Sequence, residues 1–312
     1  MPPPFIIPSS LIAVNTEQRG LPGVEWLARL PDLLAYCERR WSLSIGPPFS
    51  GLSYNYAAPA TRQDGTTVVV KICYPDKEFF TETDVLTIYA GKGSVQLLDL
   101  DNERAIMLLE HLVPGNMLVT VQSDEEAISI AASVMKQLWR PAPATHSFPT
   151  VAGWASGLSK LRPHFGGTGP FPEKLVDLAE RLFAELLASM DEPVVLHGDL
   201  HHFNILSATR QPWLSIDPKG VVGEAAYETG ALIRNPMPAL YSVPNLASML
   251  SRRMGQLAEE LGFDRQRIRG WAIAQAVLAG WWFFEDSGLT EIPEGSDWQR
   301  YIEFTETLAG TR

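Results

Sequence analysis

The residues with the clearest chemistry lie within positions 193–220, PVVLHGDLHHFNILSATRQPWLSIDPKG. Asp199 and Asn204 are five positions apart, and Asp217 follows a further apolar run. That order suits phosphoryl transfer from Mg-ATP, with one carboxylate to take the proton of an acceptor hydroxyl, then an amide and a second carboxylate to hold the metal. Mg²⁺ prefers hard oxygen ligands, which carboxylate, amide and phosphate groups supply.

Short apolar runs gather these groups at strand ends. Val194, Val195 and Leu196 read as a buried strand that ends at His197, Gly198 and Asp199. Asn204, Ile205 and Leu206 start a second strand, residues 209–212 form a turn, and Trp213, Leu214, Ser215 and Ile216 make a third that delivers Asp217. A lone His-x-Asp is common in cores and turns; three polar positions at this spacing, bracketed by apolar strands, are much harder to produce by chance. A rival chemistry would use His197, Asp199, His201 and His202 as a hydrolytic zinc site, since imidazole and carboxylate clusters bind Zn²⁺. The other histidines, His111, His146 and His164, complete no such pattern.

HGDLHHFN followed by IDPKG resembles the aminoglycoside phosphotransferase superfamily, and the pairing of HGDLHHxN with PWLxIDPKG is most similar to its streptomycin 6-kinase and hydroxyurea-resistance branch. The first motif is shared by many small-molecule kinases and speaks to chemistry more than to substrate. The IDPKG ending, with VVGEAAYE and LIRNP after it, is narrower. The resemblance implies an α+β, two-lobed protein-kinase-like fold that binds ATP between its lobes. It also implies a hinge near 110–115 whose backbone meets adenine, which assigns Glu110 and Leu112 by position. Many relatives carry a Tyr-Asp pair where Tyr227 and Glu228 stand here, so Glu228 keeps the charge on a longer arm and is a substrate candidate.

The N-terminal lobe, expected over 1–112, must position the nucleotide. Residues 21–41 show helical spacing interrupted at Pro31, which predicts two short helices as a cover, the second with Pro31 in its first turn. From 44 to 72 the pattern turns to strands, with a hairpin turn at 62–65 and a β-branched run at 66–72. The loop with Gly51, Ser53, Tyr54 and Asn55 either covers the ATP phosphates or is a plain hairpin; no GxGxxG occurs. Lys71 ends the β-branched run, the context of a phosphate-contacting lysine. In the helix at 78–90, Phe79, Glu82, Leu86 and Tyr89 share one stripe, so Glu82 points where apolar residues point. A buried carboxylate needs a partner, and Lys71 is the obvious one, with Glu78 as the fallback carboxylate. Runs at 95–100 and 105–109 complete a five-stranded sheet around a turn at 101–104.

The C-terminal lobe, expected over 113–312, is mainly helical. Ser123 with Glu126 forms a capping box before a helix to Trp139, and Pro172 opens a helix to Met190. The proline-rich segment 140–171 reads as a loop with one short helix, either part of the substrate pocket or a surface excursion. Lys219 touches a phosphate or balances the nearby carboxylates. Helices follow at 244–261 and 264–286. Residues 283–306 carry seven acidic side chains against the single Arg300. If Glu285 and Asp286 converge on the cleft they bind a cationic substrate; dispersed, they solvate a surface.

Composition bounds the partners. The chain has 312 residues, 46% hydrophobic and 20% charged, ordinary for a globular enzyme of one large domain or two lobes. Its net charge of −11 argues against a nucleic-acid partner and is compatible with a cationic small molecule. Cys37 and Cys73 each lie in apolar segments, which predicts a reducing, cytoplasmic setting without disulfides. The start, MPPPFIIPSSLIAV, does not read as a signal peptide, and the longest apolar run, 271–284, is 14 residues, short of the roughly 20 a membrane helix needs.

The reading is a small-molecule kinase with Asp199 as base, Asn204 and Asp217 on Mg²⁺, and Lys71, fixed by Glu82, on the α- and β-phosphates. Streptomycin-like aminocyclitols lead as acceptors by resemblance. Hydroxyurea, a housekeeping alcohol or sugar, and a non-catalytic nucleotide-binding pseudokinase are the alternatives.

Overall fold

The computed structural model describes residues 5–311, so the prolines at 2–4 lie outside it. The chain forms two compact units, Met1–Gly115 and Asn116–Arg312.

The first unit opens with α1 (Ser9–Trp41), which corrects the expectation of two helices parted at Pro31. The break falls at Gly20, whose φ of 58° no helix holds, and Pro31 is carried inside the helix. Glycine takes that conformation without a Cβ penalty. An interior proline costs about 3 kcal/mol or more, but Leu27, Leu30, Leu33, Leu34 and Cys37 are all buried on the same helix, and a fully buried leucine contributes about 1.5–3 kcal/mol. Burial therefore outweighs the lost helical bond.

Under α1 lies an antiparallel sheet of β1 (Leu43–Ile45), β2 (Tyr56–Arg62), β3 (Thr67–Ile72), β4 (Leu97–Asp101) and β5 (Ile106–Glu110), in the order β1-β2-β3-β5-β4. Successive strand side chains alternate between faces. Val68, Val70 and Ile72 join Ile106, Leu108 and the α1 leucines in one core, so Lys71 points to the opposite face. There it meets α2 (Lys77–Tyr89), which connects β3 to β4. Asp76 caps α2 by accepting the Glu78 N–H at 2.9 Å, and Phe79, Glu82, Leu86 and Tyr89 are buried.

The chain passes through β6 (Pro114–Met117) into α3 (Asp124–Leu138), where Ser123 Oγ accepts the Glu126 N–H at 3.2 Å. Then come β7 (Arg140–Pro141), α4 (Val151–Ser156), a 3-10 turn at 157–160, α5 (Leu161–Phe165) and α6 (Glu173–Ala188). Segment 140–171 thus holds more helix than the single short one expected, because Phe165 and Phe171 anchor it among Trp281, Phe284 and Trp298.

β8 (Val194–Leu196) pairs with β11 (Val221–Gly223) and with β7, whereas β9 (Ile205–Ala208) and β10 (Trp213–Ser215) form a separate hairpin in the order β10-β9-β6. Residues 197–204 cross from one sheet to the other. Among the described residues four α-helices follow, α7 (Thr229–Ile233), α8 (Leu246–Leu261), α9 (Arg265–Ser287) and α10 (Trp298–Gly310). The apolar run at 271–284 lies in α9, and Trp271, Trp281 and Phe284 fill the core with Phe183 of α6. Among the described residues no helix is long and apolar enough to cross a membrane. The acidic stretch conceals α10, whose Trp298, Ile302, Phe304 and Leu308 are buried.

Candidate active site

The crossing at 197–204 is built from its buried members outward. His197 is fully buried, and its Nε2 meets Ile216 O at 2.8 Å while its Nδ1 lies 3.3 Å from the Asp199 N–H. Those partners select the Nε2–H tautomer, and burial lowers the ring's pKa to about 4, so it is neutral. Gly198 has φ of 84°, and a Cβ there would come within 2.9 Å of Trp154. Only glycine fits this turn.

Asp199 emerges with its side chain 30% exposed. Arg234 Nη2 stands 3.4 Å from its Oδ1, and His201 Nε2 stands 3.6 Å from its Oδ2. Burial opposes ionisation, but His201 and then Arg234 hold the carboxyl well below the usual carboxylate range. Asn204 Nδ2 donates to Asp199 O at 3.0 Å, and Ile216 N–H donates to Asn204 O at 2.9 Å. Asn204 is therefore tied both to the loop of Asp199 and to the neighbour of Asp217. Asp217 is exposed and takes φ of 55°, a left-handed turn that ends the β10 segment.

In the first unit, Lys71 Nζ meets Glu82 Oε1 at 2.6 Å, both side chains under 10% exposed. Asn55 Oδ1 accepts the Tyr74 N–H at 3.3 Å. Ser53 is reached through its carbonyl, which accepts from Asn15 Nδ2 at 3.2 Å; the same amide donates to Tyr54 O at 3.3 Å. Asn15, fully buried on α1, thus fastens the loop between β1 and β2. Glu110 closes β5, and its Oε2 accepts the Gln96 N–H at 3.2 Å, while Leu112 is buried.

Three residues expected to meet a substrate are placed otherwise or stand at the surface. Glu228 is 1% exposed and accepts the N–H groups of His197 at 2.7 Å and Gly198 at 2.9 Å. It is a brace beneath the loop, not a substrate contact, because both oxygens serve the backbone. Glu285 is paired with Lys160 at 2.7 Å, and Asp286 is exposed at the end of α9. Elsewhere in that stretch Glu306 pairs with Lys174 at 3.0 Å and Asp297 with Arg300 at 3.5 Å. These carboxylates are dispersed, and each of the three pairs sits at the surface. Arg234, Gln275 and Asn15 were not found from the sequence; only the LIRNP motif pointed toward the first.

The donor set fits Mg²⁺ and does not fit the hydrolytic zinc site. Asn204 uses its amide nitrogen on Asp199 O, so its oxygen is the atom that could meet a metal, and Asp217 adds an exposed carboxylate. One or two protein oxygens completed by phosphates are the usual Mg²⁺ arrangement. By contrast, His197 is held by Ile216 and His202 is buried, and among the described residues no three His, Cys, Asp or Glu gather as a metal cluster.

An antiparallel sheet unit with a Lys-Glu pair, followed by a mainly helical unit with Asp199, Asn204 and Asp217 at strand ends, defines a kinase-like phosphotransferase. Residues 6–287 match the model of the aminoglycoside/hydroxyurea antibiotic resistance kinases, and the chain belongs to that family. It is 31% identical over 295 residues to a streptomycin 6-kinase of Streptomyces griseus, covering 92% of this chain and 93% of the relative. It is 30% identical over 314 residues to a hydroxyurea phosphotransferase of Kitasatospora aureofaciens, covering 97% and 86%. In fold it is similar to the aminoglycoside phosphotransferase APH(4)-Ia, solved as a thermostable mutant with ADP and hygromycin B, at a TM-score of 0.57 and 13% identity, covering 90% of this chain and 100% of that one. The chain is an ATP-dependent phosphotransferase acting on a small molecule.

Proposed function

We propose that this enzyme transfers the γ-phosphate of ATP to a hydroxyl of a streptomycin-like aminocyclitol, with Asp199 orienting that hydroxyl and accepting its proton. The observation that carries the reading is Asp199 at the end of a braced turn, with Asn204 bonded to its carbonyl. Two near neighbours hold its carboxyl ionised, which makes it a weak base. Its contribution is then mainly orientation, with proton acceptance late in a loose transition state. Lys71, held by Glu82, steadies the α- and β-phosphates, and Asn204 and Asp217 would hold Mg²⁺, which would offset phosphate charge when bound. Ser53 and Asn55 lie in the loop that covers the phosphates, and Glu110 and Leu112 lie where the backbone meets adenine. Cys37 and Cys73 are buried and outside any disulfide, which fits a cytoplasmic location.

The acceptor rests on the relatives' names, since the acidic stretch offers it no converging carboxylates. The test is phosphotransfer from labelled ATP to streptomycin, hydroxyurea, other aminoglycosides and neutral sugars. Streptomycin giving the highest kcat/KM is the expected result; a neutral sugar or hydroxyurea giving it overturns the acceptor assignment. No transfer to any acceptor despite ATP binding favours a nucleotide-binding pseudokinase.

A further inference from the structure

The LIRNP motif places its arginine against the proposed base. Arg234 follows α7, and its side chain is 14% exposed. Nη2 stands 3.4 Å from Asp199 Oδ1, and Nη1 donates to Gln275 Oε1 at 2.9 Å. Gln275, buried on α9, donates in turn to Tyr227 O at 2.5 Å. Gly230 makes room for that amide, since a Cβ there would collide with it. The segment itself is pinned from below. Arg253, fully buried, donates to the carbonyls of Ile233 at 3.1 Å and Asn235 at 2.7 Å, on either side of Arg234, and pairs with Asp124 at 2.5 Å.

We propose that Arg234 is a positioning residue for phosphoryl transfer: its guanidinium engages Oδ1 of Asp199, so that Oδ2, which has His201 Nε2 3.6 Å away, is the oxygen turned to the acceptor hydroxyl, and it is itself oriented by Gln275. The proposal rests on Asp199 being the base. A carboxylate rotates about a broad, two-fold torsion, so an unanchored Asp199 samples several orientations of its oxygens. A guanidinium is a planar fork with fixed donor directions, and here one arm reaches Asp199 while the other reaches a buried amide. A lysine offers its donors from a single nitrogen on a flexible stem and does not reproduce two arms with fixed directions. Because near-attack geometry is sensitive, with misplacement of about 1 Å costing on the order of 100-fold, the anchor acts on turnover more than on binding.

Arg234→Gln, Arg234→Lys and Gln275→Leu are compared with wild type for kcat, for KM of both substrates and for melting temperature. Arg234→Gln is expected to lower kcat by about 10- to 100-fold with both KM values within about threefold, the pattern of an interaction realised in the transition state. Arg234→Lys stays low, Gln275→Leu shows a smaller loss of the same kind, and methylguanidine partly restores turnover to Arg234→Ala. Recovery in Arg234→Lys, or a loss confined to KM, overturns the positioning role. Crystal structures of wild type and Arg234→Gln give a readout that needs no acceptor: one orientation of the Asp199 carboxylate is expected in the first and several in the second. If wild type phosphorylates nothing, the kinase reading fails, and this comparison still decides the anchor; an unchanged Asp199 rotamer overturns it.

Discussion

The carboxylate of Glu228 accepts the backbone N–H groups of His197 and Gly198, residues that lie 31 and 30 positions earlier in the chain. The turn that presents Asp199 is thereby held by a buried carboxyl group from another element. Burial pushes the Glu228 carboxyl from its ordinary 4.5 up to about 7, against the pull of the two amides. The folded protein then binds more protons than the unfolded chain between those values, so this group's contribution to stability falls as pH rises through that window. Glu228→Gln removes the titration and leaves one N–H without an acceptor, at about 1–3 kcal/mol. Urea unfolding at pH 5 and pH 7.5 is expected to show a smaller drop in the variant than in wild type. Equal drops would mean that Glu228 does not titrate there.

Lys71 and Glu82 form a buried ion pair. Removing either leaves a charge on a face that excludes water, which costs about 3–5 kcal/mol. Lys71→Met alone is therefore expected to melt below the double variant Lys71→Met with Glu82→Gln, and kcat/KM in the double variant should be little worse than in the poorer single one. Additive losses in both measurements would separate the two residues.

Much of this arrangement was legible in the sequence wherever neighbours in the chain are neighbours in space. The β-branched run before Lys71 is a central strand, and the stripe of Phe79, Glu82, Leu86 and Tyr89 is a buried helix face whose one carboxylate finds the lysine. The spacing of Asp199, Asn204 and Asp217 places them at strand ends because two short strand segments fix the distance along the backbone. What stayed hidden depends on contacts across long separations. Arg234 reaches Asp199 over 35 positions and Gln275 reaches Arg234 over 41, and no local pattern records either. Glu228 looked like a ligand group because a carboxylate beside an active-site motif reads the same whether it faces substrate or backbone. Charge density masked α10, whose apolar face is carried by few residues among many acids. At the N-terminus, Gly20 overrode Pro31 because the leucines on the sheet side hold the helix through the proline.

The central claim is that Asp199 orients the acceptor hydroxyl and takes its proton, and the most direct measurement is single-turnover phosphotransfer by Asp199→Asn beside wild type across pH 5–9, with ATP affinity measured on both. The depressed carboxyl is ionised throughout that range, so wild type should show no acid limb from this group. The variant should bind ATP normally and transfer phosphate at least about 100-fold more slowly, the scale of a general-base contribution. Transfer within a few-fold of wild type would contradict the account and remove Asp199 from the mechanism.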